Sequence, residues 1–391
     1  MAAAVRDAHE TGRPCRIVGA GGWLDAGRPV AGDPMRIDVR RALHGITEYV
    51  PGDLTLTALA GTSLGDLHEA TRAYGQRLAL DPYGSDEGTL GATIATASAG
   101  PSASAYGTPR DQVLGLAFVT GTGETVRAGG RVVKNVAGFD LVRLCTGAWG
   151  TLGVITEASV RLRALPVADE TCQVALDTVD DSRVRSAIDG LRALALPFEA
   201  VELLDAATAG AIGLPDAPHG ALLVRMTGSA DVVRAMRASL ATIGAASEVD
   251  PASWRRLRAN APTGSACVRF SSAHSGAGDT WATARRVAAS AGGSAHLAVG
   301  RSVARVTMAR AAEETDEAFA NRVTVAIGRL DDFTGTVVAE RLPASAWHCP
   351  VLTRRRGDAA VHARLVRGVR DAFDPGRVLN RGILGAAGGE P

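Results

Sequence analysis

Residues 88–110 read GTLGATIATASAGPSASAYGTPR, a run of mostly small residues with no charge before Arg110. Glycine lacks the Cβ that keeps other groups away from the backbone, so N–H groups in such a run can come close to a large anion. Two readings follow. One is a small-residue turn buried between core strands. The other is a cradle whose backbone donors wrap a dinucleotide pyrophosphate. A glycine run in isolation does not choose between them; its neighbours in the chain do.

A chain of 391 residues is too long for one ordinary core, which predicts two domains. With 46% hydrophobic and 21% charged residues it has the composition of a globular protein. The net charge is +1 and the one basic run, RRR at 354–356, is short, which argues against a nucleic-acid binder. There is no apolar stretch of membrane-spanning length and no signal-peptide core, so the expected location is cytoplasmic. Cys15, Cys145, Cys172, Cys267 and Cys349 lie far apart without a CxxC pair, and the eight histidines form no HExxH or HxH. Local spacing therefore builds neither a metal site nor an iron–sulfur cluster, and the cysteines are expected to be buried thiols. Lys134 is the only lysine among 42 basic residues. A compact ammonium does things a planar guanidinium cannot, which makes Lys134 a candidate functional cation.

In chain order, a helix over 2–11 closes at Gly12, and a short strand (15–18) runs into GAGGW (19–23). A Rossmann fingerprint needs a third glycine at position 24, which is Leu24, and an amphipathic helix after it, so that fold is excluded. A strand ending in a glycine turn can still present backbone donors to a phosphate. Strands are predicted over 35–39, 45–53 and 54–61, followed by a helix over 63–75 with Ser63 as N-cap, Asp66 reaching back to it and Gly75 as C-cap. Residues 113–129 read as a hairpin turning at Gly121 to Glu124. A helix over 139–146 leads to a tight turn through Gly147, Gly150 and Gly153, then to a strand of clean alternation to 165. After Pro166 the pattern becomes strand (171–177), helix (180–195), strand (199–204), strand (220–226), helix (230–243). It then repeats as strand (266–272), helix (279–291), strand (295–299), strand (303–308), helix (314–330), strand (335–341). The repeat predicts a duplicated ferredoxin-like domain, one antiparallel sheet with helices on one face.

The ordered set GAGG, GTLGATIATASAGP, YGxxRDxVLG (106–115), KNVAGFD (134–140), GxxGTLGVITE (147–157) and FDPGRVLN (373–380) resembles the FAD-binding domain of the p-cresol methylhydroxylase / vanillyl-alcohol oxidase superfamily. KNVAGFD and GRPVAGDPMRIDVR (27–40) are most similar to the FAD-binding subunit of bacterial glycolate oxidase, a partner of a larger flavin subunit and an iron–sulfur subunit. The resemblance implies an α+β protein with a two-subdomain PCMH-type FAD-binding domain at 1–165. A duplicated ferredoxin-like cap would span 166–340 and a C-terminal return 341–391. It implies that Gly19, Ala20, Gly21, Gly22 and Trp23, with Thr89, Leu90, Gly91, Thr93, Thr96, Ala97 and Gly100, supply backbone donors to the pyrophosphate. Gly107 and Arg110 would line the same channel, Gly150, Gly153 and Ile155 would bracket the adenosine end, and Asn380 would approach the isoalloxazine edge.

Several positions depart from the pattern. Neither His nor Cys occupies the first glycine loop or the central stretch, which implies noncovalent FAD. Phe139 stands where members usually carry Tyr, Arg381 where they carry Pro, and the sequence opens on the first helix without the strand that commonly precedes it. The implied activity is FAD-dependent oxidation of a CH–OH group, by hydride transfer to the flavin with a base for the hydroxyl proton and, for a 2-hydroxy acid, an arginine for the carboxylate. Arg269, Arg301, Arg305 and Arg341 are candidate anchors, and His348 and Lys134 further weak candidates. Metal-dependent members carry clustered histidines in the cap, and this chain has none there. That favours a subunit of a glycolate oxidase or 2-hydroxy-acid dehydrogenase complex over a stand-alone dehydrogenase of a small hydroxy acid or alcohol. A non-catalytic flavin-fold assembly subunit is the third reading.

Overall fold

The computed structural model describes residues 1–130, 139–328, 330, 332–349 and 359–385. The chain divides into two compact units. One comprises residues 1–100, 106–165 and 355–391, and the other residues 101–105 and 166–354. Among the described residues no helix is long and apolar enough to cross a membrane.

In the first unit the helix Ala2–Thr11 buries Val5 and Ala8 on one face and ends where Gly12 turns left-handed at φ 66°. Strand β1 (Cys15–Val18) pairs in parallel with β2 (Met35–Asp38), and Leu379 from the C-terminal return bridges to Cys15 on its other side. A second sheet takes the order β3 (Ile46–Val50), β4 (Thr55–Leu59), β8 (Val154–Ala164), β6 (Val113–Val119), β7 (Thr125–Gly129), with β5 (Gln76–Leu78) on the far end of β8. The helix Leu64–Arg72 starts at Ser63, whose Oγ accepts from the Asp66 amide at 3.0 Å. Asp66 reaches back to Ser63, whose hydroxyl and amide hydrogen-bond its carboxylate and, with His44 Nε2 at 3.0 Å, hold it below its ordinary value.

The second unit is one antiparallel sheet. In chain order its strands are β9 (Ala168–Ala175), β10 (Ala200–Asp205), β11 (Gly220–Gly228), β12 (Ala246–Glu248), β13 (Ala266–Ser271), β14 (Ser294–Ala298), β15 (Val303–Met308) and β16 (Thr336–Arg341). Their order across the sheet is β12-β9-β11-β10-β14-β15-β13-β16. Each half thus has the ferredoxin-like order fourth-first-third-second, and the halves join where the two second strands, β10 and β14, pair. The helices Asp181–Leu194, Ala230–Leu240, Ala277–Ser290 and Asp316–Ile327 pack on one face through Val184, Ile188, Met236, Trp281, Val323 and their neighbours. Two short helices that the sequence pattern did not reveal, Ala206–Ala211 and Ala252–Ala259, bury Ile212, Trp254 and Leu257 against Leu204 and Leu223, which project from the other face.

Strand alternation places a row of charges on that other face. Leu297, Val306 and Val268 point to the four long helices, so their neighbours His296, Arg305 and Arg269 point away. There the Arg305 guanidinium forks onto the Glu340 carboxylate (Nε to Oε2, 2.7 Å), and Arg269 Nε stands 3.8 Å from its other oxygen. Glu202 Oε2 meets His296 Nδ1 at 3.0 Å, and Arg225 bonds both oxygens of Asp169 and Glu199 Oε1. Burial alone would raise the Glu340 carboxyl, but the Arg305 and Arg269 guanidiniums outweigh it and hold it below its ordinary value of 4.5. A carboxyl depressed in the folded state adds stability that is present above that ordinary value and is lost as pH falls toward the folded value. The melting temperature of this unit is therefore expected to drop on acidification below about 4.5. Glu340→Gln leaves Arg305 buried without its counter-charge, costing about 3–5 kcal/mol at neutral pH and flattening the acid limb. Calorimetry of both proteins from pH 7 to pH 3 checks this, and parallel acid limbs would contradict it.

Candidate cofactor-binding site

β1 ends at Val18 and the chain turns through Gly19, Ala20, Gly21 and Gly22, with Gly21 in the left-handed region at φ 89°. The parallel partner β2 and the C-terminal return occupy the hydrogen-bonding sides of the strand, and both stop at the turn. Among the described residues nothing accepts from the amides of Gly19, Ala20 or Gly21. Three successive half-buried N–H groups in a glycine turn form a concavity of partial positive charge suited to an anion. A Cβ on Gly22 would meet nothing within 4 Å, so the turn borders open space there. Trp23 closes the turn, its indole N–H donating to the Tyr83 carbonyl at 3.3 Å.

The central stretch behaves differently from what its composition implies. Residues 90–96 form a helix capped by Thr89, whose Oγ1 accepts from the Ala92 amide. The first helical amides, the groups that would bind a phosphate, are already satisfied. Leu90 donates to the Thr62 carbonyl at 3.0 Å, Gly91 to Ala60 at 2.8 Å and Thr93 to the Thr89 carbonyl at 3.0 Å. A Cβ on Gly91 would stand 2.7 Å from Ala60 Cβ, and one on Gly100 would stand 2.0 Å from the Asp81 carbonyl. Thr96 Oγ1 donates to Ala92, and Ala97 ends the helix at φ 50° with its amide on Ile94. Gly91 and Gly100 have protein packed where a side chain would stand, and the amides of Leu90, Gly91 and Thr93, expected as donors to the pyrophosphate, donate to protein carbonyls. These residues reach the first loop through Thr89, whose Oγ1 would be 2.4 Å from a Cβ on Gly19.

The remaining expected residues form the supports. Gly107 (φ 80°) packs on Asp111, and Arg110 directs Nε and an Nη onto the Thr146 carbonyl, each at 3.2 Å, closing the helix Leu141–Cys145. The turn after it caps the central helix, Gly147 donating to Ile94 and Trp149 to Ala95. Gly153 fits against Phe118, and Ile155, buried on β8, lies opposite Phe118 in the ladder. Gly150 accommodates Asn380 Nδ2, 2.9 Å from where its Cβ would be. Asn380 is buried, and both ends of its amide are engaged: Oδ1 accepts from the Ile17 amide and Nδ2 donates to the Trp149 carbonyl.

Of the weak catalytic candidates, Lys134 lies outside the described residues. In the second unit His348 is exposed at the end of a short 3-10 turn, whereas Arg341 is buried and donates to the Ala261 carbonyl at 3.0 Å. Arg269 and Arg305 meet at Glu340. Sequence reading missed Glu340, Glu202, His296 and Glu199 as a buried set, because strand pairing alone brings them together.

Residues 1–129 match the family described as FAD binding domain. Glycolate oxidase subunit GlcE of Escherichia coli (strain K12) is 41% identical over 157 residues, 40% of this chain and 44% of that protein. Glycolate oxidase subunit GlcD of Bacillus subtilis (strain 168) is 32% identical over 197 residues, 49% of this chain and 42% of that protein. The matched part spans less than half the length of either relative. Among solved structures, p-cresol methylhydroxylase with substrate bound superposes with a TM-score of 0.75 at 16% identity, covering 100% of this chain and 88% of that one. Alkyldihydroxyacetonephosphate synthase does so with a TM-score of 0.69 at 18% identity, covering 97% and 74%. At these identities the two structures show a shared fold. The Gly19–Gly21 amides of the FAD-binding domain match the pyrophosphate of FAD in charge and donor type.

Proposed function

We propose that this chain is the FAD-bearing subunit of an assembly that oxidises a small 2-hydroxy acid such as glycolate, with a second flavin subunit and an iron–sulfur subunit as partners. The observation that carries the reading is the set of open amides at Gly19, Ala20 and Gly21, in a domain related to glycolate oxidase subunits. Bound FAD supplies acceptance of a hydride from a carbon bearing a hydroxyl. The chain's part is to hold the pyrophosphate at the first glycine loop and to keep that loop in shape. The cofactor is held noncovalently. The first glycine loop and the central stretch contain no thiol or imidazole, and burial pushes the nearby thiols up, Cys145 to about 12. In this reading residues 1–165 bind FAD, 166–340 form the substrate-facing domain and 341–391 complete the FAD domain.

The engagement of the candidate carboxylate anchors supports a subunit over an independent dehydrogenase. Arg305 is forked onto Glu340, Arg269 Nε stands 3.8 Å from the same carboxylate, and Arg341 is tied to a carbonyl. A guanidinium already forked onto a carboxylate has its bidentate face occupied and cannot offer it to a second one. The purified chain is expected to show a flavin absorption spectrum that glycolate or D-lactate does not bleach anaerobically. Bleaching is expected after co-expression with the neighbouring flavin and iron–sulfur subunits. A colourless chain that cannot be reconstituted with FAD would sink the proposal, and bleaching of the chain alone would replace it with a stand-alone dehydrogenase.

A further inference from the structure

We infer that Asn380 is a positioning residue for the cofactor loop, a clasp that fixes the Gly19–Gly22 turn against the Trp149 turn; the inference rests on the FAD reading above. Three hydrogen bonds meet at this one residue. Its own amide donates to the Cys15 carbonyl at 2.9 Å, its side-chain oxygen accepts from Ile17 at 2.9 Å, and its side-chain nitrogen donates to Trp149 at 2.7 Å. Ile17 lies two residues before the open amides, and Trp149 closes the central helix through Ala95. The chain separations are 363 and 231 residues, so no local interaction can substitute for these bonds.

The surroundings are shaped for an asparagine. Its backbone is left-handed at φ 42°, a conformation asparagine tolerates better than most residues. Gly150 leaves the space its amide occupies, since a Cβ there would stand 2.9 Å from Nδ2 and from Ile17 Cδ1. Trp149 is itself left-handed at φ 55° and meets Trp23 edge to face at 6.3 Å between ring centres. Trp23 is the last residue of the glycine loop. The loop is therefore gripped at both ends, by Asn380 through Ile17 and by Trp149 through Trp23, and Asn380 holds both grips. Without that hold the three amides keep their chemistry but not a common direction, and preorganised donors are what an anion site depends on.

Asn380→Asp tests this with little change of shape. The carboxylate can still accept from Ile17 but sets an oxygen against the Trp149 carbonyl. Asn380→Gly keeps the left-handed backbone and removes both side-chain bonds. FAD is expected to bind about tenfold to hundredfold more weakly to either variant, the loss of one or two buried hydrogen bonds. Hydrogen exchange of the cofactor-free proteins is the second readout. Amides at 15–24 and 147–150 should exchange faster than in the parent chain, with those of β6 unchanged. Unaltered FAD affinity, faster exchange throughout the unit, or failure of both variants to fold would each overturn the inference, the last two by making Asn380 a general stability residue. If the parent chain takes up no FAD, the proposed function fails. The exchange comparison needs no cofactor and still tests the clasp.

Discussion

The Gly22→Asp protein is expected to fold with the melting temperature of the parent chain and to retain no FAD. Gly22 is exposed, its backbone lies outside the left-handed region, and a Cβ there would meet nothing within 4 Å, so a side chain costs the fold little. The carboxylate would stand beside the amides of Gly19 to Gly21 and oppose a diphosphate arriving there. At a separation of about 5 Å and an effective dielectric near 20, each pair of like charges costs ~3 kcal/mol, enough to weaken binding more than about a hundredfold. Gly22→Ala is the control, with the same Cβ and no charge, and it should keep its flavin. Flavin absorbance per protein and a titration with FAD measure the difference. An Asp variant as yellow as the parent chain would remove the first glycine loop from the cofactor site.

Gly91→Val is expected to fail in the other way, by losing the first unit rather than the cofactor alone. A Cβ at 91 would lie 2.7 Å from Ala60 Cβ and 2.9 Å from the Ala60 carbonyl, the group that accepts the Gly91 amide. Two backbones in contact cannot part without breaking that bond, and valine adds two methyl groups to the clash. Overpacking of a buried helix–strand contact costs about 1–3 kcal/mol, and more where backbone must move. The variant should be insoluble or melt well below the parent chain even with excess FAD. A Gly91→Val protein of normal stability that lacked only flavin would put Gly91 at the pyrophosphate after all.

The contrast between these two glycines shows what the sequence could and could not reveal. The order of strands and helices was legible because alternation and caps are local. β8 alternates as read, Ser63 caps the helix that follows it, and the two halves of the second unit show their common order in the pattern alone. The first loop was legible because a glycine turn directly after a strand leaves amides without partners. The central stretch is ambiguous by letter alone, because a glycine that makes room for Ala60 reads the same as one that makes room for a phosphate. Only the distances separate them. Arg110 and Asn380 were found as residues near the cofactor loops, but their targets are carbonyls and amides of distant turns. Glu340 was missed because its significance comes from Arg305 and Arg269 on other strands.

The pairing of Leu379 with Cys15, and of Asn380 with Ile17, also sets an order of assembly. A ribosome adds about 5–20 residues per second, so 363 residues of intervening chain separate the two partners by about 20–70 s of synthesis. Through that interval the loop that meets the pyrophosphate has its sequence but not its final bracing. On the reading proposed above, tight loading of FAD is expected only once translation has passed residue 380, so a chain stopped short of it should hold its flavin more weakly.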